Sequence, residues 1–148
     1  ATNALSNNLW PMAEPVQPQR GSILVTEPLP NLPLKGCFHY QEGYYYFRNV
    51  GNRILLGGAR NTSFATENTT DTQVHPTIES ALHTFLQEHF LVKGEVSISH
   101  QWSGTMGFTA GKMPVLHQPV KGLFQACGCN GMGVALTPIL AKQWVNIL

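Results

Sequence analysis

Residues 122–148 read GLFQACGCNGMGVALTPILAKQWVNIL. The short apolar run 122–126 predicts a buried strand. Gly128, Gly131 and Gly133 crowd the turn that follows, and an apolar segment with helical spacing comes after it. Glycine lets a backbone approach a ligand closely because no side chain intervenes. A helix behind such a turn aims unbonded N–H groups and the positive end of its dipole at the same point. The unit can hold a phosphate, a carboxylate or an electron-rich heterocycle. It can equally be a purely structural strand, turn and helix. Thr137-Pro138 allows two drawings of the helix. Thr137 can cap it with Pro138 at the first helical position. Alternatively the helix starts near Gly131 and Pro138 kinks it, which puts Met132 and Leu136 on one face and is preferred here.

Upstream, residues 37–59 carry the clearest hairpin signal. Tyr44-Tyr45-Tyr46-Phe47-Arg48 has high strand propensity, residues 49–52 turn at Gly51, and residues 53–56 return. Alternation places Tyr44, Tyr46 and Arg48 on one face and Tyr45 and Phe47 on the other. The first face is a polar, solvated surface or one wall of a pocket. In the pocket reading, rings enclose a small organic substrate whose polar end meets Arg48 or a tyrosine hydroxyl.

Pro76 suits the first position of a helix, and Ile78, Leu82, Phe85, Leu86 and Phe90 continue it as one apolar stripe. His83 and His89 on this helix do not share a metal-binding face and read as surface or rim residues. Residues 95–102 alternate as a strand, and 113–116 form another short one. Residues 22–26 (SILVT) are a strand closed by Pro28, Pro30 and Pro33, and the proline-rich stretch 5–19 is a connector. The fold class is α+β: a mostly antiparallel sheet with one central and one C-terminal helix.

Composition removes several functions. Charged residues make up 11% of the chain, against about 25% in a typical domain, and the net charge is +1 without basic clusters. That leaves no electrostatic footprint for nucleic acid. No apolar run reaches the roughly 18 residues of a membrane span. Three cysteines, Cys37, Cys127 and Cys129, make a poor disulfide framework and fit a reducing, cytoplasmic setting. No histidine–carboxylate set has metal-ligand spacing.

Residues 101–116, QWSGTMGFTAGKMPVL, combine with the closing stretch into an ordered pattern of Trp102, Gly104, Thr109, Pro114, Gly122, Gly128, Gly131 and Gly133. This resembles the C-terminal half of the FAD-dependent amine and amino-acid oxidoreductases related to D-amino-acid oxidase, glycine oxidase and sarcosine oxidase. Arg20-Gly21 with residues 23–26 is similar to the strand that opens that family's substrate domain. Tyr44, Arg48, Gly51 and residues 56–59 resemble its next two strands, and residues 1–4 resemble the end of the preceding flavin-domain strand. Two departures stand out. The family's nucleotide-binding glycine fingerprint is absent. Gly111 replaces a common aspartate, and Thr105, Met106 and Gly107 stand where several relatives have an arginine.

The resemblance implies removal of a hydride from the carbon beside an amine, giving an imine. It implies a connector at 1–19, a substrate-binding domain over 20–116, and a flavin-contacting strand, turn and helix over 117–148. Tyr44, Tyr46, Arg48 and Trp102 are the expected substrate contacts. Gly128, Cys129, Asn130, Gly131, Met132 and Gly133 are the expected cofactor contacts. Because residues 101–116 contain no cysteine, FAD is expected to be bound non-covalently. The expected partners are a small amine or amino acid and a missing FAD-binding half of the same protein, without which the piece is inactive. The other reading is a non-enzymatic sheet module that binds a ligand or a partner protein.

Overall fold

The computed structural model describes residues 2–12, 15–90 and 96–146. The elements in order are α1 (Ser6–Leu9), β1 (Gln17–Thr26), β2 (Cys37–Tyr40), β3 (Tyr45–Val50), β4 (Arg53–Gly58), α2 (Phe64–Glu67), α3 (Pro76–His89), β5 (Ile98–Phe108), β6 (Val115–Val120), β7 (Leu123–Cys127) and α4 (Gly133–Val145). Single 3-10 turns lie at Asn3–Leu5 and Arg60–Thr62. The fold is α+β, as the sequence predicts. The chain divides into two compact units, one from residues 20–67 and 71–104, the other from residues 1–19, 68–70 and 105–148.

In the first unit the strand order is β2-β3-β4-β1-β5, and the pairs β2–β3, β3–β4 and β4–β1 are antiparallel. Residues directly opposite in antiparallel strands share a face. The register therefore builds cross-strand rows. Phe38, Phe47, Leu56 and Leu24 form one row, and Tyr40, Tyr45, Gly58 and Ser22 form the next on the same face. That face receives α3. Leu24, Ile54 and Leu56 pack with Ile78, Leu82, Phe85 and Leu86 in one buried cluster. Each such side chain contributes about 1.5–3 kcal/mol on burial. Tyr45 and Phe85 stack at 4.3 Å between ring centroids.

The α3 boundaries follow local chemistry. Pro76 occupies the first turn, and the Thr77 N–H donates to His75 Nδ1 at 3.3 Å as the N-cap. The β3–β4 loop is two residues long with Gly51 at φ +58°, the position where a II′ hairpin turn wants glycine. Two strands are longer than the sequence suggests. β1 starts at Gln17 rather than 22, because a proline (Pro18) is tolerated near a strand's start even though it donates no hydrogen bond. β5 runs on to Phe108; Glu95, where the sequence starts this strand, lies outside the described residues.

In the second unit β6 and β7 form an antiparallel hairpin that turns at Gly122 (φ +84°). The strand read at 113–116 lies at Val115–Val120. Asn7 fixes the N-terminal segment by bonding both backbone groups of Val16, at 2.8 and 3.2 Å. The helix α4 starts at Gly133 and contains Pro138, so Thr137 is not its cap. The Thr137 hydroxyl instead donates to the Gly133 carbonyl at 2.6 Å. Among the described residues no helix is long and apolar enough to cross a membrane.

Candidate functional site

The glycine turn of residues 128–133 is held in a left-handed backbone by three residues, Gly128 (φ +71°), Asn130 (φ +53°) and Gly131 (φ +83°). Gly128 is obligatory twice over, because a Cβ there would also lie 2.4 Å from Thr109 Cγ2. The Asn130 N–H donates to the Gly107 carbonyl at 3.0 Å, and the Met132 N–H to the Cys129 carbonyl at 2.8 Å. The α4 helix then begins without a side-chain cap at Met132. Its Ala135 and Leu136 N–H groups return to the Met132 carbonyl. Among the described residues the N–H groups of Gly131, Gly133 and Val134 meet no acceptor. These are the orphan donors of a helix start, where the dipole favours negative charge.

The turn is also uncovered by its own unit. A Cβ on Gly131 would touch only Met106 Sδ, and one on Gly133 only Cys129 Cβ, both at 3.7 Å. Met132 is 57% exposed. Glycines, free N–H groups and a helix start together suit the electron-rich edge of a flat heterocycle, so the residues present fit the isoalloxazine of FAD. Cys129 is half-buried and Cys127 is buried, with Cys127 Sγ 3.7 Å from Met12 Sδ. Burial pushes the Cys127 thiol up, which leaves it protonated and unreactive at neutral pH.

The first unit carries the aromatic half of the prediction. On the sheet face away from α3, the rows are His39, Tyr46, Gly57, Ile23 and Cys37, Arg48, Leu55, Val25. Tyr46 and Arg48 thus share one face. Tyr44 lies one residue before β3, in the turn, where its ring packs edge-on to Phe64 at 5.7 Å. The Tyr46 ring lies over Gly57, with its hydroxyl 2.7 Å from where a Cβ would stand. Burial raises the Tyr46 phenol, while the Arg60 cation works against that rise. Arg60 is itself lowered by burial, opposed by Glu67, Tyr44 and Tyr46. The cation that both tyrosines sense is therefore Arg60, which the sequence reading missed. Its only signal was its position just after the glycine-rich end of β4. Arg48 is exposed, and its Nε donates to the neighbouring Asn49 carbonyl at 3.2 Å.

Trp102 is on β5, with β4 and β1 between it and β3. At about 4.8 Å per strand it stands roughly 14 Å from the Tyr46 strand. It is 45% exposed and lines a groove of about 390 Å³ with Gln73, Glu79, Gln101 and Ser103. No group of three or more histidines, cysteines or acids among the described residues could hold a metal. His89 packs its ring on Tyr40 and Phe85, a rim position as predicted.

A buried ion pair in the first unit is invisible in the sequence. Arg20, 3% exposed, bonds Glu67 through Nη2 at 2.7 Å and through Nε at 3.2 and 3.3 Å. Its remaining donors reach Asp71, the Gln73 carbonyl and the Thr66 carbonyl. The pair with Glu67, above all its hydrogen bond, raises the Arg20 pKa further. This network anchors the segment from α2 to α3 that follows Arg60.

Residues 1–146 match the family described as DAO, FAD dependent oxidoreductase. The chain is 27% identical over 137 residues to the hydrogen cyanide synthase subunit HcnC of Pseudomonas protegens, covering 89% of this chain and 31% of that protein. It is 27% identical over 153 residues to the probable oxidoreductase OrdL of Rhizobium meliloti, covering 99% of this chain and 34% of that one. Glycine oxidase from Geobacillus kaustophilus has the same fold over 95% of this chain and 38% of its own, with a TM-score of 0.72 at 23% identity. The chain thus spans 31% and 34% of the length of the curated relatives it matches. With the family matched along nearly its whole length, the chain belongs to the DAO family of FAD-dependent oxidoreductases.

Proposed function

We propose that this chain supplies the substrate-facing sheet and the flavin-contacting turn of an enzyme that oxidises the C–N bond of a small amine or amino acid to an imine. The observation that carries this reading is the uncapped start of α4, where the N–H groups of Gly131, Gly133 and Val134 lack acceptors among the described residues, on an uncovered glycine-rich backbone. FAD, once bound, would supply the acceptor for the hydride leaving the carbon beside the amine nitrogen. The rest of the chemistry falls to binding and orientation. The turn, residues Gly128, Cys129, Asn130, Gly131, Met132 and Gly133, holds negative charge at the ring edge through its N–H groups and the helix dipole. Tyr46 and Arg60, with Tyr44 and Arg48, hold the substrate and orient its polar end, while Trp102 on β5, with two strands intervening, stands apart from them. The FAD is non-covalent, and the medium is a reducing cytoplasm, in keeping with three free cysteines.

The division into a connector (1–19), a substrate domain (20–116) and a flavin-contacting end (117–148) belongs to the same proposal. So does a partner, the FAD-binding half of a family-length protein, which supplies the sites for adenine and pyrophosphate. The purified chain, titrated with FAD and followed by flavin fluorescence, is expected to show no stoichiometric binding and no activity. The family-length protein is expected to hold FAD and to be bleached anaerobically by glycine or another small amine. Tight FAD binding by the chain alone overturns the division of labour. A family-length protein that carries no flavin overturns the function.

A further inference from the structure

We infer that Asn130 is the positioning residue that aims the glycine turn, and that through it the protein sets how strongly negative charge on the flavin is stabilised. The inference rests on the reading of the turn just proposed. The backbone N–H of Asn130 and both polar atoms of its side chain are engaged. Its backbone N–H reaches the Gly107 carbonyl, its Oδ1 accepts from the Thr109 N–H at 2.9 Å, and its Nδ2 donates to the Gly128 carbonyl at 2.6 Å and to Thr109 Oγ1 at 3.3 Å. The Thr109 hydroxyl itself donates to the Met113 carbonyl at 2.8 Å. The backbone N–H thus ties the bend to the end of β5, and the side chain ties the loop residue Thr109 to the Gly128 end of the bend. Asparagine is among the few residues with a Cβ that tolerate the left-handed conformation found here. The peptide plane immediately after Asn130 carries the unbonded Gly131 N–H. Fixing Asn130 therefore fixes the direction in which that donor points, before any ligand arrives.

A fixed donor stabilises developing charge without reorganising, whereas a loose one must be ordered first. The test uses sulfite, which adds reversibly to a protein-bound flavin more tightly the better the protein stabilises negative charge on the ring. In the family-length holoenzyme, Asn130→Gly keeps the φ of +53° accessible and removes only the side-chain bonds. Sulfite affinity is expected to fall about tenfold. Met132→Lys, adding a cation at the exposed centre of the turn, is expected to raise sulfite affinity. If Asn130→Gly loses its flavin, Thr109→Val removes one end of the same network, and a two- to threefold fall is expected. A shift with Met132→Lys but none with Asn130→Gly, or with Thr109→Val where that stands in, overturns the role of Asn130 and leaves the turn beside the flavin. No shift with Met132→Lys overturns the placement of the turn itself.

Discussion

The Tyr46 ring occupies the space that a side chain at position 57 would fill: a Cβ on Gly57 would stand 2.5 Å from Tyr46 Cε2. The two residues are directly opposed on β3 and β4, so the glycine is a seat for the phenol. The Gly57 backbone is not left-handed, which makes the effect of a substitution steric rather than conformational.

Gly57→Ala is therefore expected to cost about 1–3 kcal/mol, the range for overpacking a filled site. Paired with Tyr46→Ala the cost should largely vanish, because the clash has no second party. A double-mutant cycle from urea midpoints reads the coupling directly. Additive costs would mean that the ring does not occupy the glycine's space.

The Arg20–Glu67 pair predicts an asymmetric response. Glu67→Gln leaves a buried guanidinium with only the more exposed Asp71 as countercharge, and breaking such a buried pair costs up to about 3–5 kcal/mol. Replacing both residues with apolar ones of similar volume, Arg20→Met with Glu67→Leu, is expected to cost less than the single change. Denaturant unfolding of the two variants separates the cases. Arg53–Glu27, where the Glu27 side chain is half-exposed and Arg53 keeps its bonds to the Thr26 carbonyl and Ser99, should tolerate Glu27→Gln at under about 1 kcal/mol.

Legibility followed the physics of each element. The β3–β4 hairpin and α3 were readable because period 2 and period 3.6 leave different marks on Tyr45, Phe47, Ile78 and Leu82. The glycine turn was readable because its glycines cluster, and at Gly128 only glycine meets both the backbone and the close contact. Arg20 and Glu67 were not readable, since 47 residues separate them and neither carries a local pattern. Arg60 was hidden for a similar reason: its surroundings come from Tyr44 and Tyr46 across the hairpin. Trp102 was readable as a residue but not as a neighbour, because its distance from Tyr46 is a matter of strand order.

Alkaline pH should weaken the first unit through its phenols. Burial raises Tyr46 above the usual 10.0, while in the unfolded chain it ionises near that value. Above that pH the unfolded state holds fewer protons than the folded one, so stability falls as pH rises toward the folded pKa. Below the unfolded pKa the contribution is fully present. Tyr46→Phe is expected to flatten the decline in the urea midpoint between about pH 9 and 11. The flattening should be partial, because Tyr45 is raised by burial too. An unchanged slope would mean that the Tyr46 phenol is solvated.

Gly128 and Gly122 both adopt left-handed backbone, at φ +71° and +84°, and differ in their surroundings. A Cβ at Gly122 meets nothing within 4 Å, whereas one at Gly128 stands 2.4 Å from Thr109 Cγ2. Alanine at 122 should cost about 1–2 kcal/mol, the strain of the backbone alone. Alanine at 128 carries the same strain and also drives Thr109 off its bond to Asn130, so its cost should be larger by about 1–3 kcal/mol. Combining Gly128→Ala with Thr109→Ser, which removes the clashing methyl and keeps the hydroxyl, should recover that increment and leave only the backbone strain. Thermal unfolding of the three variants tests the sequence of costs. Equal losses at 122 and 128 would show that Thr109 yields freely, and the network that fixes the turn would then be softer than its bond lengths imply.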